Sequence, residues 1–200
     1  MTKVQGSRAV LQERSGETFL VKTGSIESDF DLTAMSELVY LSLGSNVGDR
    51  GAQLREAQTR LGSAGRVVAV SSVFETEPVE FTEQPWFLNC AVALETSSTP
   101  RQVMTAILRI EEEMGRRRVQ KKGPRAIDID ILLFGNIVMQ DPELTIPHPS
   151  MQQRRFVLEP LAEIAPEMRH PVLEKTIREL RDALPPGQVV RWVSKPEPPG

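Results

Sequence analysis

The sequence predicts an α+β protein, a ferredoxin-like βαββαβ antiparallel sheet with helices on one face and the active-site cleft on the other. Three observations lead there. Strand-like apolar runs occur at residues 38–43, 67–76, 86–96 and around 127–134. Helix-like segments lie after the first of these runs and before the last, so the order reads strand, helix, strand, strand, helix, strand. The chain has 200 residues, which is the size of one domain with a core of its own.

Residues 1–36 are polar, mix both charges and sustain no period, and are read as a disordered N-terminal extension; residues 37–195 form the domain and 196–200 a flexible tail. Met35-Ser36-Glu37-Leu38 has the character of a normal translation start, so Met35 is a second candidate for the first residue. The strand at 38–43 runs into Gly44-Ser-Asn-Val-Gly-Asp-Arg50, where glycines mark a turn and Asn46 is placed to cap a helix over about 47–61. No Gly-Lys-Ser/Thr follows, which excludes a P-loop.

The strands at 67–76 and 86–96 are joined by Glu77-Pro-Val-Glu-Phe-Thr-Glu-Gln-Pro85, too long for a tight hairpin and of the length that serves sites. Pro100 suits a first helical turn, Val103, Ile107, Ile110 and Met114 form one apolar face, and Gly115 ends the helix. After Gly135-Asn136 the pattern predicts a short strand, a turn at Pro147-His-Pro149, helices near 151–155 and 173–183, and a last strand over 189–193.

Composition narrows the function classes. The formal net charge is −3 and the pI about 5.6, which does not favour a nucleic-acid partner. The single cysteine, Cys90, lies in an apolar run, so no intrachain disulfide forms; a buried thiol in a reducing cytoplasm is the natural reading. No stretch approaches the 18 apolar residues of a membrane span, and no secretion signal opens the chain.

The chemistry concentrates in residues 116–134. In Ile127-Asp128-Ile129-Asp130-Ile131 the acidic and apolar residues alternate, so both carboxylates face one way and the isoleucines the other. Their α-carbons lie roughly 6.6 Å apart at the strand rise, close enough for two carboxylates to share or bridge Mg²⁺ ions about 3.5–4 Å apart. Mg²⁺ takes one or two protein carboxylates and completes its shell with water and phosphate oxygens. Directly before this strand, Arg116 to Arg125 holds six basic residues and no acid. Ordering such a loop costs on the order of 10 kcal/mol in backbone entropy, with like-charge repulsion in addition, and polyphosphate offsets both.

Each half also has a plainer reading. Asp-x-Asp on an antiparallel strand is equally a solvated face, and a basic run is equally a solvated surface or a nucleic-acid patch, although residues 116–125 contain no aromatic to stack on a base. Residues alone also leave open a nucleotide-binding module without chemistry, and a metal-dependent nucleotidyltransferase or phosphohydrolase.

Four ordered motifs narrow these alternatives: Leu43-Gly-Ser-Asn-Val-Gly-Asp-Arg50, Gln84-Pro-Trp-Phe-Leu-Asn89, Gly123-Pro-Arg-Ala-Ile-Asp-Ile-Asp130, and Ile146-Pro-His-Pro149 with Arg154 and Phe156. Together they resemble the 6-hydroxymethyl-7,8-dihydropterin pyrophosphokinase family from about Val39 to Pro166. The resemblance implies transfer of the β,γ-pyrophosphoryl unit of ATP to the pterin hydroxymethyl oxygen, with release of AMP, in folate biosynthesis. It implies two Mg²⁺ ions on Asp128 and Asp130, and Arg116 and Arg125 as catalytic arginines on the transferring phosphates. Glu111, Arg118, Lys121, His148 and Arg154 fall on the ATP side. Thr76, Pro78, Val79, Phe87, Asn89 and Phe156 line the pterin pocket. The substrates are small molecules, with no nucleic acid or membrane partner, and the protein is expected to be a monomer in the cytoplasm. Two positions depart from the family pattern: Lys122 where an aromatic or asparagine is frequent, and Trp86 where an acid is common.

Read without the resemblance, Phe87 and Phe156 are core aromatics and His148 is a turn residue. Asn89, alone in an apolar strand, is the residue that needs a partner.

Overall fold

The computed structural model describes residues 9–14, 17–22, 36–79, 82–116 and 123–195, the first two segments as backbone only. The chain divides into two compact units, Met1–Ala34 and Met35–Gly200. In the first, where the sequence reads as a disordered extension, β1 (Ala9–Arg14) pairs antiparallel with β2 (Glu17–Lys22).

The second unit holds β3 (Glu37–Ser45), α1 (Arg50–Arg60), β4 (Arg66–Val70), β5 (Val73–Thr76), β6 (Phe87–Thr96), α2 (Pro100–Glu113) and β7 (Asp128–Phe134). After these come the short strands β8 (Met139–Gln140) and β9 (Thr145–Ile146), α3 (Arg155–Ile164), α4 (Ile177–Asp182) and β10 (Val190–Ser194). The main sheet is antiparallel at every pairing, in the order β10-β5-β6-β3-β7, with β4 also on β6. Among the described residues, four α-helices pack around it.

Alternation along the strands divides the sheet into two faces. Val39, Leu41, Leu43, Cys90, Val92, Leu94, Ile129 and Ile131 form one core with Leu54 and Ala57 of α1 and Val103, Ile107 and Ile110 of α2. A fully buried leucine or isoleucine contributes about 1.5–3 kcal/mol, so this layer supplies the main driving force for folding. Helix α2 keeps its expected bounds, because Thr99 and Gln102 close a capping box at its start and Gly115 follows its end at φ +84°.

The expectation of helices on one face only is corrected. Helices α3 and α4 pack on the second face, where Val157, Leu158 and Leu161 meet Tyr40, Ala91, Ala93 and Leu133. Side-chain polarity sets the boundary. On this face the strands carry apolar or small residues at one end, whereas Ser42, Gly44, Asn89, Asp128 and Asp130 lie toward the other, which remains a cleft.

Three further expectations are corrected. Asn46 does not cap α1; Asp49 does, accepting from the Ala52 N–H at 2.9 Å, because the Asn46 side chain is engaged across the site. The run at 67–76 is two strands, because Ser71 Oγ accepts from the Ala91 N–H within the ladder while the Ser72 N–H turns to Glu163 of α3. At 151–155 only Met151–Gln153 forms a single 3₁₀ turn, and a ten-residue helix starts at Arg155.

Candidate active site

The open end of the second face is a cavity of about 280 Å³. Its floor follows from strand register. Gly44 lies between Asn89 on β6 and Asp128 on β7, and Ser42 between Ala91 and Asp130. Strand period therefore brings Phe87, Asn89, Asp128 and Asp130 to one surface. The Asn89 amide donates to Thr76 Oγ1 at 2.7 Å, which satisfies one side of an amide that is 4% exposed.

The walls are loops. One is the segment after β5, with Glu77, Pro78, Val79 and Gln84. The other follows the Ile146–Pro149 turn, which the His148 N–H fastens to the Leu132 carbonyl at 2.9 Å, and brings in His148, Arg154 and Phe156. Arg125 lies over the Phe87 ring and Arg154 over the Phe156 ring, each 5.7 Å from the centroid. Both aromatics are half-buried cavity walls rather than closed core.

Charge is balanced within the cavity. The Asp128 carboxylate accepts from Arg116 at 2.6 Å and from Arg125 at 2.7 Å. Arg116 also pairs with Glu111, which is 3% exposed and accepts from the Ile129 N–H at 2.8 Å. Burial raises the Glu111 carboxyl above the usual carboxylate range, against the opposing charge of Arg116. Asp130 is pushed up to about 7, first by burial and then by the charge of Asp128. His148 is pushed down to about 4 by burial and by Arg154. Its Nδ1 accepts from the Ser150 N–H at 3.2 Å, so the neutral ring carries its proton on Nε2.

Asn46 ties these parts together. It is 2% exposed; its side-chain oxygen accepts from the Arg125 N–H at 2.8 Å, and its amide donates to Gln84 Oε1 and the Pro85 carbonyl, both at 3.1 Å. Arg125 Nε–H is buried with no acceptor among the described residues, a donor suited to an anionic ligand. No three His, Cys, Asp or Glu side chains among the described residues converge as a metal cage. Two adjacent carboxylates suit a hard divalent cation that arrives with phosphate oxygens and keeps water, as Mg²⁺ does.

Residues 40–166 match the family model of 7,8-dihydro-6-hydroxymethylpterin-pyrophosphokinase. The chain belongs to this pyrophosphokinase family. It is 44% identical over 136 residues to the 2-amino-4-hydroxy-6-hydroxymethyldihydropteridine pyrophosphokinase of Bacillus subtilis, covering 67% of this chain and 81% of that one. Against the enzyme of the same name from Methylorubrum extorquens it is 43% identical over 154 residues, covering 76% of this chain and 96% of that one. The folic acid synthesis protein fol1 of Schizosaccharomyces pombe is 41% identical over 152 residues, which are 75% of this chain but 21% of that longer protein. A crystal structure of Plasmodium falciparum HPPK-DHPS shares the fold, with TM-score 0.60 at 20% identity over 75% of this chain and 44% of that one.

Of the residues that resemblance to the pyrophosphokinase family singles out, the cavity brings together Thr76, Pro78, Val79, Phe87, Asn89, Arg116, Arg125, Asp128, Asp130, His148, Arg154 and Phe156. Glu111 stands behind that wall and lines a second hollow of about 310 Å³ with Leu108, Glu112 and Arg116. Arg118, Lys121 and Lys122 lie outside the described residues. Sequence reasoning missed Glu77 and Gln84 as wall residues and Asn46 as the tie between loops. Asn46 and Gln84 stand inside the four motifs, and Glu77 opens the long loop whose length already pointed to a site, which was the available signal.

Proposed function

We propose that this protein transfers the β,γ-pyrophosphoryl unit of ATP to 6-hydroxymethyl-7,8-dihydropterin, giving AMP and the pterin diphosphate, in folate biosynthesis. One observation carries the reading: Asp128 and Asp130 share one cavity surface with Arg125, whose buried Nε–H has no acceptor among the described residues, beside the Asn89–Thr76 pair. Polyphosphate chemistry and recognition of a flat polar ring are thus next to each other.

In the reaction the pterin hydroxymethyl oxygen bonds to the β-phosphorus, the bridge between the α- and β-phosphates breaks, AMP keeps the bridging oxygen, and the hydroxyl proton is lost to solvent. Asp128 and Asp130 would hold two Mg²⁺ ions, which when bound supply positive charge to the attacking and leaving oxygens. Arg116 and Arg125, which pair with Asp128, would turn to the transferring phosphates. Guanidinium forks suit that multi-point grip, so catalysis is positioning plus electrostatics. Neutral His148 would donate Nε2–H on the ATP side, with Arg154 beside it, and Glu111 would hold Arg116 in register. Arg118 and Lys121 would cover the triphosphate. Phe87 and Phe156 would flank the pterin, Asn89 and Thr76 would bind its edge, and Pro78 and Val79 would close the pocket.

We read the sheet as ferredoxin-like, since β6 lies between β3 and the β4–β5 pair that α1 connects to it. Residues 37–195 are the catalytic domain in this reading, acting as a monomer in the cytoplasm on small molecules alone. Among the described residues no helix is long and apolar enough to cross a membrane.

The test is AMP formation from ATP and Mg²⁺ with and without 6-hydroxymethyl-7,8-dihydropterin, for the native protein and Asp130→Ala. Pterin-dependent AMP that disappears in the variant supports the reading. A folded native protein that binds ATP but forms no AMP favours a nucleotide-binding module, and pyrophosphate or phosphate as product favours the hydrolase or nucleotidyltransferase chemistry.

A further inference from the structure

The C-terminal strand and the residues just before it touch both walls of the cavity without lining it. On one side β10 pairs with β5, placing Val190 opposite Thr76 and Arg191 opposite Glu75. Just before it, the Val189 N–H donates to Glu77 Oε1 at 3.0 Å, where the 77–86 loop begins. At the end of that loop the Arg191 guanidinium stacks 4.8 Å from the centroid of the Trp86 ring. Arg50 holds the same residue by its carbonyl at 2.8 Å and reaches Glu75 at 3.0 Å, so the loop exit is fixed from α1 and β10 together.

Gln188 reaches the opposite wall. Its side-chain oxygen accepts from the Arg155 N–H at 2.6 Å, and its amide donates to the Gln153 carbonyl at 3.0 Å. Those two backbone groups bracket Arg154 and precede Phe156, both of which line the cavity. The Arg155 N–H is one of the donors at the start of α3 that the helix itself cannot satisfy, and no N-cap side chain takes it, so Gln188 also completes the helix end.

We propose that Gln188 and Arg191 are positioning residues for the pterin, bracing the 153–156 wall and the 77–86 loop at the separation the ring requires. The inference rests on the pyrophosphokinase reading of the cavity. One wall is a loop and the other a 3₁₀ turn that runs into the uncapped first turn of α3, and ordering such segments at the moment of binding costs affinity. A C-terminal segment that ties both to the sheet beforehand removes that cost for the ligand between them; on the ATP side it touches only the backbone beside Arg154, while Glu111, Arg116 and the β7 carboxylates are held independently of it.

The experiment uses the full chain and four variants: Gln188→Ala, Arg191→Ala, Arg191→Lys, and Trp192→Gln as a control on the same strand, where the ring is 59% exposed. Gln188→Ala is expected to raise the pterin KM about five-fold or more through two lost hydrogen bonds. Arg191→Ala is expected to raise it about two- to five-fold, and Arg191→Lys to restore most of that loss. The KM for ATP stays within about two-fold in Arg191→Ala and rises less than the pterin KM in Gln188→Ala, where only the backbone beside Arg154 is loosened, and Trp192→Gln behaves as the native protein. Because the chain has two tryptophans, Trp192→Gln leaves Trp86 as the sole tryptophan, and adding Arg191→Ala should increase the quenching of its selectively excited emission by acrylamide. A pterin KM unchanged in both alanine variants overturns the inference. So does a parallel change in pterin KM, ATP KM and kcat, which would mark a general structural role. A native protein without pterin-dependent AMP formation removes the functional reading itself, and the inference with it.

Discussion

Gly44 faces Asn89 across the β3–β6 pair so closely that a β-carbon on residue 44 would lie 2.7 Å from the Asn89 side-chain oxygen. The amide cannot easily retreat, because its nitrogen is bonded to Thr76 at 2.7 Å. Gly44→Ala should therefore push Asn89 out of the pocket, raising the pterin KM about ten-fold or more and costing about 1–3 kcal/mol of stability. Steady-state kinetics with pterin varied at saturating ATP, alongside thermal melts, check this. Native kinetics in the variant would mean that Asn89 is not held as described.

Asp130 gives a pH dependence with a definite sign. Its carboxyl is raised from an ordinary 3.8 to about 7 by burial and by Asp128. Between these values the native state binds more protons than the unfolded chain, so this contribution to stability is present at low pH and lost as pH rises through about 7. Asp130→Asn removes the buried charge. Without Mg²⁺ it should melt roughly 4–8 °C above the native protein at pH 8, corresponding to about 2 kcal/mol, with the gap cut to less than about half at pH 5 and closed only below the ordinary value of 3.8. Turnover should be lost at both. Calorimetry at the two pH values decides it, and a variant less stable than native at pH 8 contradicts the account.

Cys90 should be inert in the folded state. Its side chain projects from β6 into the core, fully buried and 3.5 Å from the Gln58 amide of α1, and burial pushes the thiol up to about 12. Thiolate is the reactive species, so a chromogenic disulfide reagent should label no thiol in the native protein over minutes and about one per chain in denaturant. Rapid labelling of native protein would show that this core opens.

The elements that depend on local physics are legible in the order of residues alone. Strand period puts Asp128 and Asp130 on one surface, and Thr99, Pro100 and Gly115 set the limits of α2, because alternation and helix capping involve residues a few positions apart. Motif resemblance also reaches the wall residues His148, Arg154 and Phe156. It does not reach what those residues touch. Asn46 has the sequence context of a helix cap, yet its bond to Arg125 spans 79 positions along the chain, and only the folded sheet makes it the stronger use of that side chain.

By itself, then, the sequence determined the order of the elements, the placement of two carboxylates and a basic segment side by side, and the family. Tertiary structure decided which end of the second face stays open, since α3 covers the end where Tyr40, Ala91, Ala93 and Leu133 are apolar. It also decided that Gly44 must lack a side chain and that the C-terminal segment reaches both walls, through Gln188 just before β10 and Arg191 within it. These outcomes depend on distances between segments far apart in the chain, which local propensity does not encode and only packing of the whole sheet sets.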